Sequence, residues 1–390
     1  MAGRNINRRD WLKAGALMSA GLTFGLKVNA NSALVKPSLS FQTGEWVGDY
    51  LIDAPLKAKL NANENPYGQS KKAKAAYIKE FNGNANLYGS SLGREFKTFM
   101  ADKIGVNDNN VILSAGSMEL LQLTALSFGL EKGNMVSAFP TFENLLRNAE
   151  AVGCDWKQID VNGELIEDLA GMENAIDSET GLMYVCNPNN PTGSLQNPDE
   201  LREFCKRVSK RVPVFVDEAY NEFLDPRIQE NNSMIDLVKE GYDVVICKTF
   251  SKLHGFAGLR VGYAVGNEKL IAKMKKFRNS MTTMSRPSMK GAMVSYQDVD
   301  FLSFCRKKTA DARYFTTEGL KKRGYEPSAS VTSFMVFPIK MRGDEYIQSM
   351  ANEGVGIRSW EFKGQQWCRV SIGTLDEMKE FFKALDKVKP

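Results

Sequence analysis

With 390 residues, 43% of them hydrophobic and 25% charged, the chain carries enough apolar material for a large domain and a smaller one, in the proportions of ordinary soluble globular protein. The net charge of +5 is spread along the sequence without a Lys/Arg block among aromatics, which leaves a nucleic-acid partner unsupported. Six cysteines with no CxxC pair and a single histidine, His254, argue against a zinc site, a disulfide framework and imidazole-activated nucleophiles, and they leave lysine as the chemical centre.

At the amino terminus, Asn7-Arg8-Arg9-Asp10-Trp11-Leu12-Lys13 precedes an apolar run, Ala14 to Leu26, too short to span a bilayer comfortably, which ends near Val28-Asn29-Ala30. The pattern resembles a twin-arginine export signal over 1–30, cut after Ala30, with 31–60 as linker and N-terminal arm. It implies a periplasmic protein whose only membrane contact is the signal. The alternative is an amphipathic arm of the fold and a cytoplasmic protein.

From Leu60 to about Met284, helical patterns alternate with short apolar strands at Val111 to Leu113, Met135 to Ala138, Leu182 to Cys186, Val214 to Val216, Val244 to Cys247 and Val261 to Val265. Alternation of this kind predicts an α/β fold, a mostly parallel sheet covered on both faces, over 61–290. Over 291–390 the spacing predicts a long charged helix, Phe301 to Arg323, then strands at Ser333 to Ile339, Val355 to Arg358 and Cys368 to Ile372, and a closing helix, Leu375 to Val388. This is a smaller α+β domain.

Chemistry concentrates at the strand ends. Ser114-Ala115-Gly116-Ser117-Met118 turns from strand to helix through small residues whose free N–H groups suit an anion. Val185 to Gly193 runs into the Asn/Pro/Gly turn Asn187-Pro188-Asn189-Asn190-Pro191-Thr192-Gly193, and Val214 to Tyr220 carries Asp217 at the carboxyl end of a strand, where open α/β sheets bind ligands. Thr249-Phe250-Ser251-Lys252 and Arg260 place a lysine, two hydroxyls and a guanidinium within twelve residues. That grouping suits pyridoxal 5'-phosphate (PLP), whose aldehyde and phosphate belong to one small rigid molecule.

Together these segments resemble the class I/II aminotransferases of PLP fold type I, most closely the histidinol-phosphate aminotransferase branch, from about Leu60 to Thr374. The resemblance implies a three-layer α/β/α domain with a smaller domain beside it, and a Lys252 Schiff base that moves an amino group between an amino acid or related amine and a 2-oxo acid. It places the cofactor phosphate on Gly116, Ser117, Met118, Thr249, Ser251 and Arg260, the pyridine nitrogen on Asp217, the phenolic oxygen on Asn190 and Tyr220, and the ring against Phe142. Tyr88 is expected to reach the phosphate of a neighbouring subunit, which implies a homodimer. Arg369 is expected to grip the substrate carboxylate, Arg358 to be a second anion position, and the segment Asn61 to Tyr67, with Asn63 and Tyr67, to lie over the site. No metal is expected, and His254 is expected to serve a local hydrogen bond.

Departures from the family pattern are Met118 for an acid, Phe142 for tyrosine, Ser333 for asparagine, and Met281 to Arg286 for a Pro/aromatic stretch. By the resemblance, the last two fall around the substrate. Alternatives are histidinol-phosphate aminotransferase proper in the cytosol, or a lyase, decarboxylase or racemase on the same scaffold. Two others are a PLP-bearing regulator, disfavoured because no basic helix-turn-helix precedes the motifs, and a silent exported binding protein.

Overall fold

The computed structural model describes residues 56–131, 133–278 and 283–388. The expected export signal, most of the arm (31–55) and the pair Met281 and Thr282 lie outside the described residues.

The strands in chain order are β1 Ala58–Lys59, β2 Val111–Ser114, β3 Asn134–Phe139, β4 Asp155–Asp160, β5 Thr180–Cys186, β6 Val214–Asp217, β7 Val244–Thr249, β8 Gly262–Gly266, β9 Phe334–Ile339, β10 Val355–Gly356, β11 Arg358–Phe362 and β12 Gln365–Ser371. Seven form one sheet in the order β2-β8-β7-β6-β5-β3-β4. From β7 to β4 every pairing is parallel, while β8 runs antiparallel to both β7 and β2. β8 follows β7 after only a short excursion, so it returns in the opposite direction and leaves the ends of β2 and β7 on one edge.

Both faces of this sheet are covered, which explains the nearly unbroken apolar runs in β6 and β7. Along β5, Met183 and Val185 pack with Leu201, Phe204 and Val208 of helix Pro198–Val208. Leu182 and Tyr184 point the other way, toward Leu120 and Leu121 of helix Ser117–Gly129 and Leu270 and Ile271 of helix Glu268–Lys275. The helix Pro198–Val208 starts where sequence rules place it: Asn197 accepts from the Asp199 and Glu200 amides, Pro198 opens the first turn, and Lys206 and Arg207 close the last.

A second, three-stranded antiparallel sheet, β11-β12-β9, packs against helices Val299–Lys321, Gly343–Asn352 and Leu375–Val388. Phe337 and Phe381 are fully buried there, and truncating either to alanine is worth about 3–5 kcal/mol. The end of the arm joins this region, because β1 pairs in parallel with β10 and Ala58 and Leu60 enter the same core.

Two expectations need correcting. β4 was not expected, since Asp155-Trp156-Lys157-Gln158-Ile159-Asp160 has no apolar run; as an edge strand it pairs on one side only and tolerates exposed polar residues. The single strand expected at Val355 to Arg358 is instead two, interrupted at Ile357, and β11 continues to Phe362. Among the described residues no helix is long and apolar enough to cross a membrane.

Candidate active site

Sheet topology brings the candidate residues to one edge. Ser114 ends β2, Thr249 ends β7, and both lie opposite Gly262 in the ladder. Gly262 has no room for a side chain, because a Cβ would stand 2.7 Å from the Ser117 amide nitrogen. Gly116, at φ +82°, opens helix Ser117–Gly129 in a conformation that L side chains avoid, and a Cβ there would meet Arg260 Nη2 at 2.3 Å. Thr249 donates its hydroxyl to Ser251 Oγ (2.9 Å), and Arg260 Nη1 lies 3.5 Å from the same oxygen. Helix N–H groups, hydroxyls and a guanidinium thus converge on one space, around which two glycines let Arg260 and the Ser117 amide approach closely.

That space belongs to a cavity of about 520 Å³ whose lining includes Lys252, Arg260, Arg358 and Arg369 as cations and Asp217 as the one acid among the described residues. Asp217 closes β6 with Cys186 and Cys247 beside it in register on the neighbouring strands. Burial pushes its carboxyl up to about 6, against the opposing pull of the Ala219 amide, the Tyr184 hydroxyl and Lys252. The Ala219 amide donates at 3.0 Å and the Tyr184 hydroxyl at 3.4 Å. Beneath the same strand ends the Cys186 amide donates to Glu167 Oε1 (3.2 Å), and burial pushes Glu167 up to about 8. Lys252 Nζ lies 5.4 Å from the Tyr220 ring centroid.

The opposite wall comes from the small sheet. Arg358 on β11 and Arg369 on β12 are direct cross-strand partners, so two like charges share one face and both line the cavity. Such an arrangement is unfavourable in itself and is relieved by an anion. Arg369 is almost fully buried; its Nη1 donates to Asn190 Oδ1 (2.9 Å) and its Nη2 to the Asn61 carbonyl (3.0 Å). Asn63, at φ +52°, donates from Nδ2 to Tyr220 Oη (3.0 Å), accepts from Ser371 Oγ (2.6 Å) and gives its amide proton to that hydroxyl (2.8 Å).

The cavity lining contains Asn63, Ser117, Met118, Phe142, Asn190, Asp217, Tyr220, Ser251, Lys252, Arg260, Arg358 and Arg369. Gly116 and Thr249 stand just behind it. Tyr67 does not line it and packs edge-on against Phe304, with centroids 5.3 Å apart. Tyr88 is 86% exposed and also lies outside the lining. His254 does not face this cavity; its Nδ1 pairs with Ser295 Oγ at 2.8 Å. Tyr184 and Ser371 were not among the candidates. Tyr184 precedes Cys186 by two residues on the same strand face, a signal that strand periodicity carries, whereas nothing local marks Ser371.

The residues present fit PLP. The cradle of helix N–H groups, hydroxyls and Arg260 suits a phosphate, the buried carboxylate has no cationic hydrogen-bond partner among the described residues, and a lysine lines the same cavity. The family described as aminotransferase class I and II matches residues 56–385. A histidinol-phosphate aminotransferase from Brevibacillus brevis is 32% identical over 354 residues, covering 89% of this chain and 95% of its own. That from Bacillus subtilis is 32% identical over 341 residues, covering 87% and 93%. The crystal structure of a Sinorhizobium meliloti histidinol-phosphate aminotransferase in complex with pyridoxal-5'-phosphate shares the fold, with a TM-score of 0.77 at 23% identity over 86% of this chain and 91% of that one.

Proposed function

The chain belongs to the class I and II aminotransferases and is a PLP-dependent transaminase similar to histidinol-phosphate aminotransferases, and we propose that it works on an anionic amino donor through the residues of this cavity. PLP, when bound, supplies a carbonyl that condenses with amines and a ring that draws electrons from the donor's Cα. Lys252 Nζ would hold that carbonyl carbon in the resting enzyme and, once freed, would be the base that takes the proton from the donor's Cα and the acid that gives it back. Asp217 would keep a proton on the ring nitrogen, and Asn190 and Tyr220 would hydrogen-bond the phenolic oxygen. Phe142 would stack on the ring. Gly116, Ser117, Met118, Thr249, Ser251 and Arg260 would hold the phosphate. Arg369 fixes the donor's carboxylate, with Arg358 the second anion position and Asn63 and Tyr67 part of the covering segment.

The observation that carries this reading is that one buried acid and one lysine line the same cavity, whose other charged lining residues are Arg260, Arg358 and Arg369. The test is the visible absorbance of the purified protein, titrated with amino donors that include histidinol phosphate, with and without a 2-oxo acid. The band should fall with donor and return with acceptor. Turnover without any acceptor would assign a lyase, decarboxylase or racemase instead. A response to histidinol phosphate alone would select the biosynthetic aminotransferase, the reading favoured by the curated relatives.

A homodimer is part of the proposal. Ile78, Phe81, Leu87 and Tyr88 are large, exposed and close in sequence, a surface that a second copy would cover while Tyr88 reaches its phosphate. Export is the remaining part. It rests on Arg8, Arg9 and the apolar run to Leu26 in the sequence. The wild-type chain should be found outside the inner membrane beginning near Asn31, and replacing both arginines by lysine should hold it inside; an uncut cytoplasmic wild type would end the export reading.

A further inference from the structure

Lys252 heads a tight turn whose following residues are tied to other parts of the fold, Leu253 and Gly255 to the segment Asn65 to Gln69 and His254 elsewhere. Asn65 Nδ2 donates to the Leu253 carbonyl (2.6 Å) and Gln69 Nε2 to the Gly255 carbonyl (2.6 Å). Gly255, at φ +75°, lies so near Gly68 that a Cβ would come within 2.2 Å of its carbonyl oxygen. The remaining anchor is His254, the only histidine of the chain and just 2% exposed. Its Nδ1 is 2.8 Å from Ser295 Oγ on helix Arg286–Gln297, and its Nε2 is 3.4 Å from Glu222 Oε2. Glu222 belongs to the short turn Asn221–Phe223, which follows Tyr220 directly.

The imidazole faces a separate cavity of about 440 Å³ behind the Lys252 turn, shared with Lys248, Tyr263, Tyr296 and Arg306. Its charged neighbours are largely engaged. Lys248 pairs with the fully buried Glu218 at 2.8 Å, and Arg306 Nε donates to the Glu222 carbonyl at 3.0 Å. Burial alone would raise the Glu222 carboxyl, but His254, Lys248 and Arg306 outweigh it and hold the group below the usual carboxylate range. Phe250 packs on the imidazole with centroids 4.5 Å apart, so a purely apolar ring could fill the same space. The polar contacts are what an apolar ring would lose.

We propose that His254 is a positioning residue for Lys252: it locks the turn that carries the lysine to the turn that carries Tyr220, so that amine and phenol keep a fixed spacing across the cofactor cavity. The proposal rests on Lys252 being the cofactor lysine. Its leverage is geometric, because His254 is two residues from the amine and a misplacement of about 1 Å at a reacting group costs on the order of 100-fold in rate.

The experiment compares PLP-loaded wild type with His254→Phe and His254→Asn, following kcat, donor KM, PLP affinity by fluorescence quenching, the pH midpoint of the visible lysine-bound cofactor band, and Tm. His254→Phe keeps the packing on Phe250 and drops both polar contacts. It should lower kcat by about tenfold or more with donor KM changed less than about twofold, and should shift the band midpoint. His254→Asn, whose amide reaches Ser295 alone, should fall between the two. A phenylalanine variant that loses only Tm while kcat and band midpoint stay at wild-type values would reduce His254 to packing and overturn the proposal. Should that variant fail to fold, Ser295→Ala removes one anchor and leaves the ring; unchanged kcat and midpoint there would overturn it equally. A wild type with no visible band would bring down the Lys252 reading and the proposal together, whereas a normal wild-type band with indifferent variants brings down the proposal alone.

Discussion

The two sheets build their halves of the cavity by different means. In the seven-stranded sheet the contributors stand at or just past strand ends, as Asp217 does on β6, Lys252 after β7, Asn190 after β5 and Ser117 after β2. In the three-stranded sheet Arg358 and Arg369 stand within regular strands, facing each other across the ladder. Strand ends offer backbone N–H groups, positive-φ glycines and capped turns, so much of that half is made of main chain. Strand interiors offer only side chains. The cofactor half should therefore tolerate changes such as Met118 that leave the backbone in place, while the substrate half depends on which side chain is present.

The largest effect should come from a cofactor-side residue whose side chain backbone cannot replace. Lys252→Ala should lower turnover by about 10⁴-fold or more and leave no cofactor fixed to protein after borohydride. A covalently reduced adduct in that variant would show that the division between the halves has been drawn around the wrong lysine.

Asp217→Asn sharpens the contrast within the cofactor half. Cofactor should stay bound through the phosphate cradle while turnover falls by about 10²–10³-fold, because only the charge beside the ring nitrogen is lost. The cofactor-free protein supplies a second reading. The folded Asp217 carboxyl stands at about 6 against an ordinary 3.8, so between those values the folded state holds more protons than the unfolded one. Stability should then fall as pH rises through that window, by about 3 kcal/mol in all, and the asparagine variant should lack the slope. Near-normal turnover, or an unchanged slope, would remove Asp217 from its role.

How far each half is legible in sequence follows from the same difference. β6 and β7 read as apolar runs ending in an acid and in Thr249-Phe250-Ser251-Lys252, since strands buried on both faces are hydrophobic and chain reversals concentrate Asn, Pro, Gly and Ser. The cofactor side could be seen for that reason. β4 could not, because an edge strand needs no apolar run, and the break at Ile357 leaves no mark in a sequence that stays β-prone on either side. Arg358 and Arg369 came from family resemblance, and their direct pairing emerged only from the register of β11 on β12. Tyr184 and Ser371 act through hydrogen bonds between residues 33 and 308 positions apart, beyond any local pattern.

The central claim, that the strand-end half holds the cofactor and the arginine pair holds the donor, is tested most directly by measuring PLP affinity and donor KM side by side in Arg369→Lys. A point charge cannot replace a planar fork that reaches both Asn190 and the Asn61 carbonyl and, on the proposed reading, a donor carboxylate as well. The account predicts a KM raised by the loss of about 1.5–3 kcal/mol, roughly tenfold to more than a hundredfold, with PLP affinity within about twofold of wild type. A KM that does not move, or a PLP affinity that falls in step with it, would contradict the division.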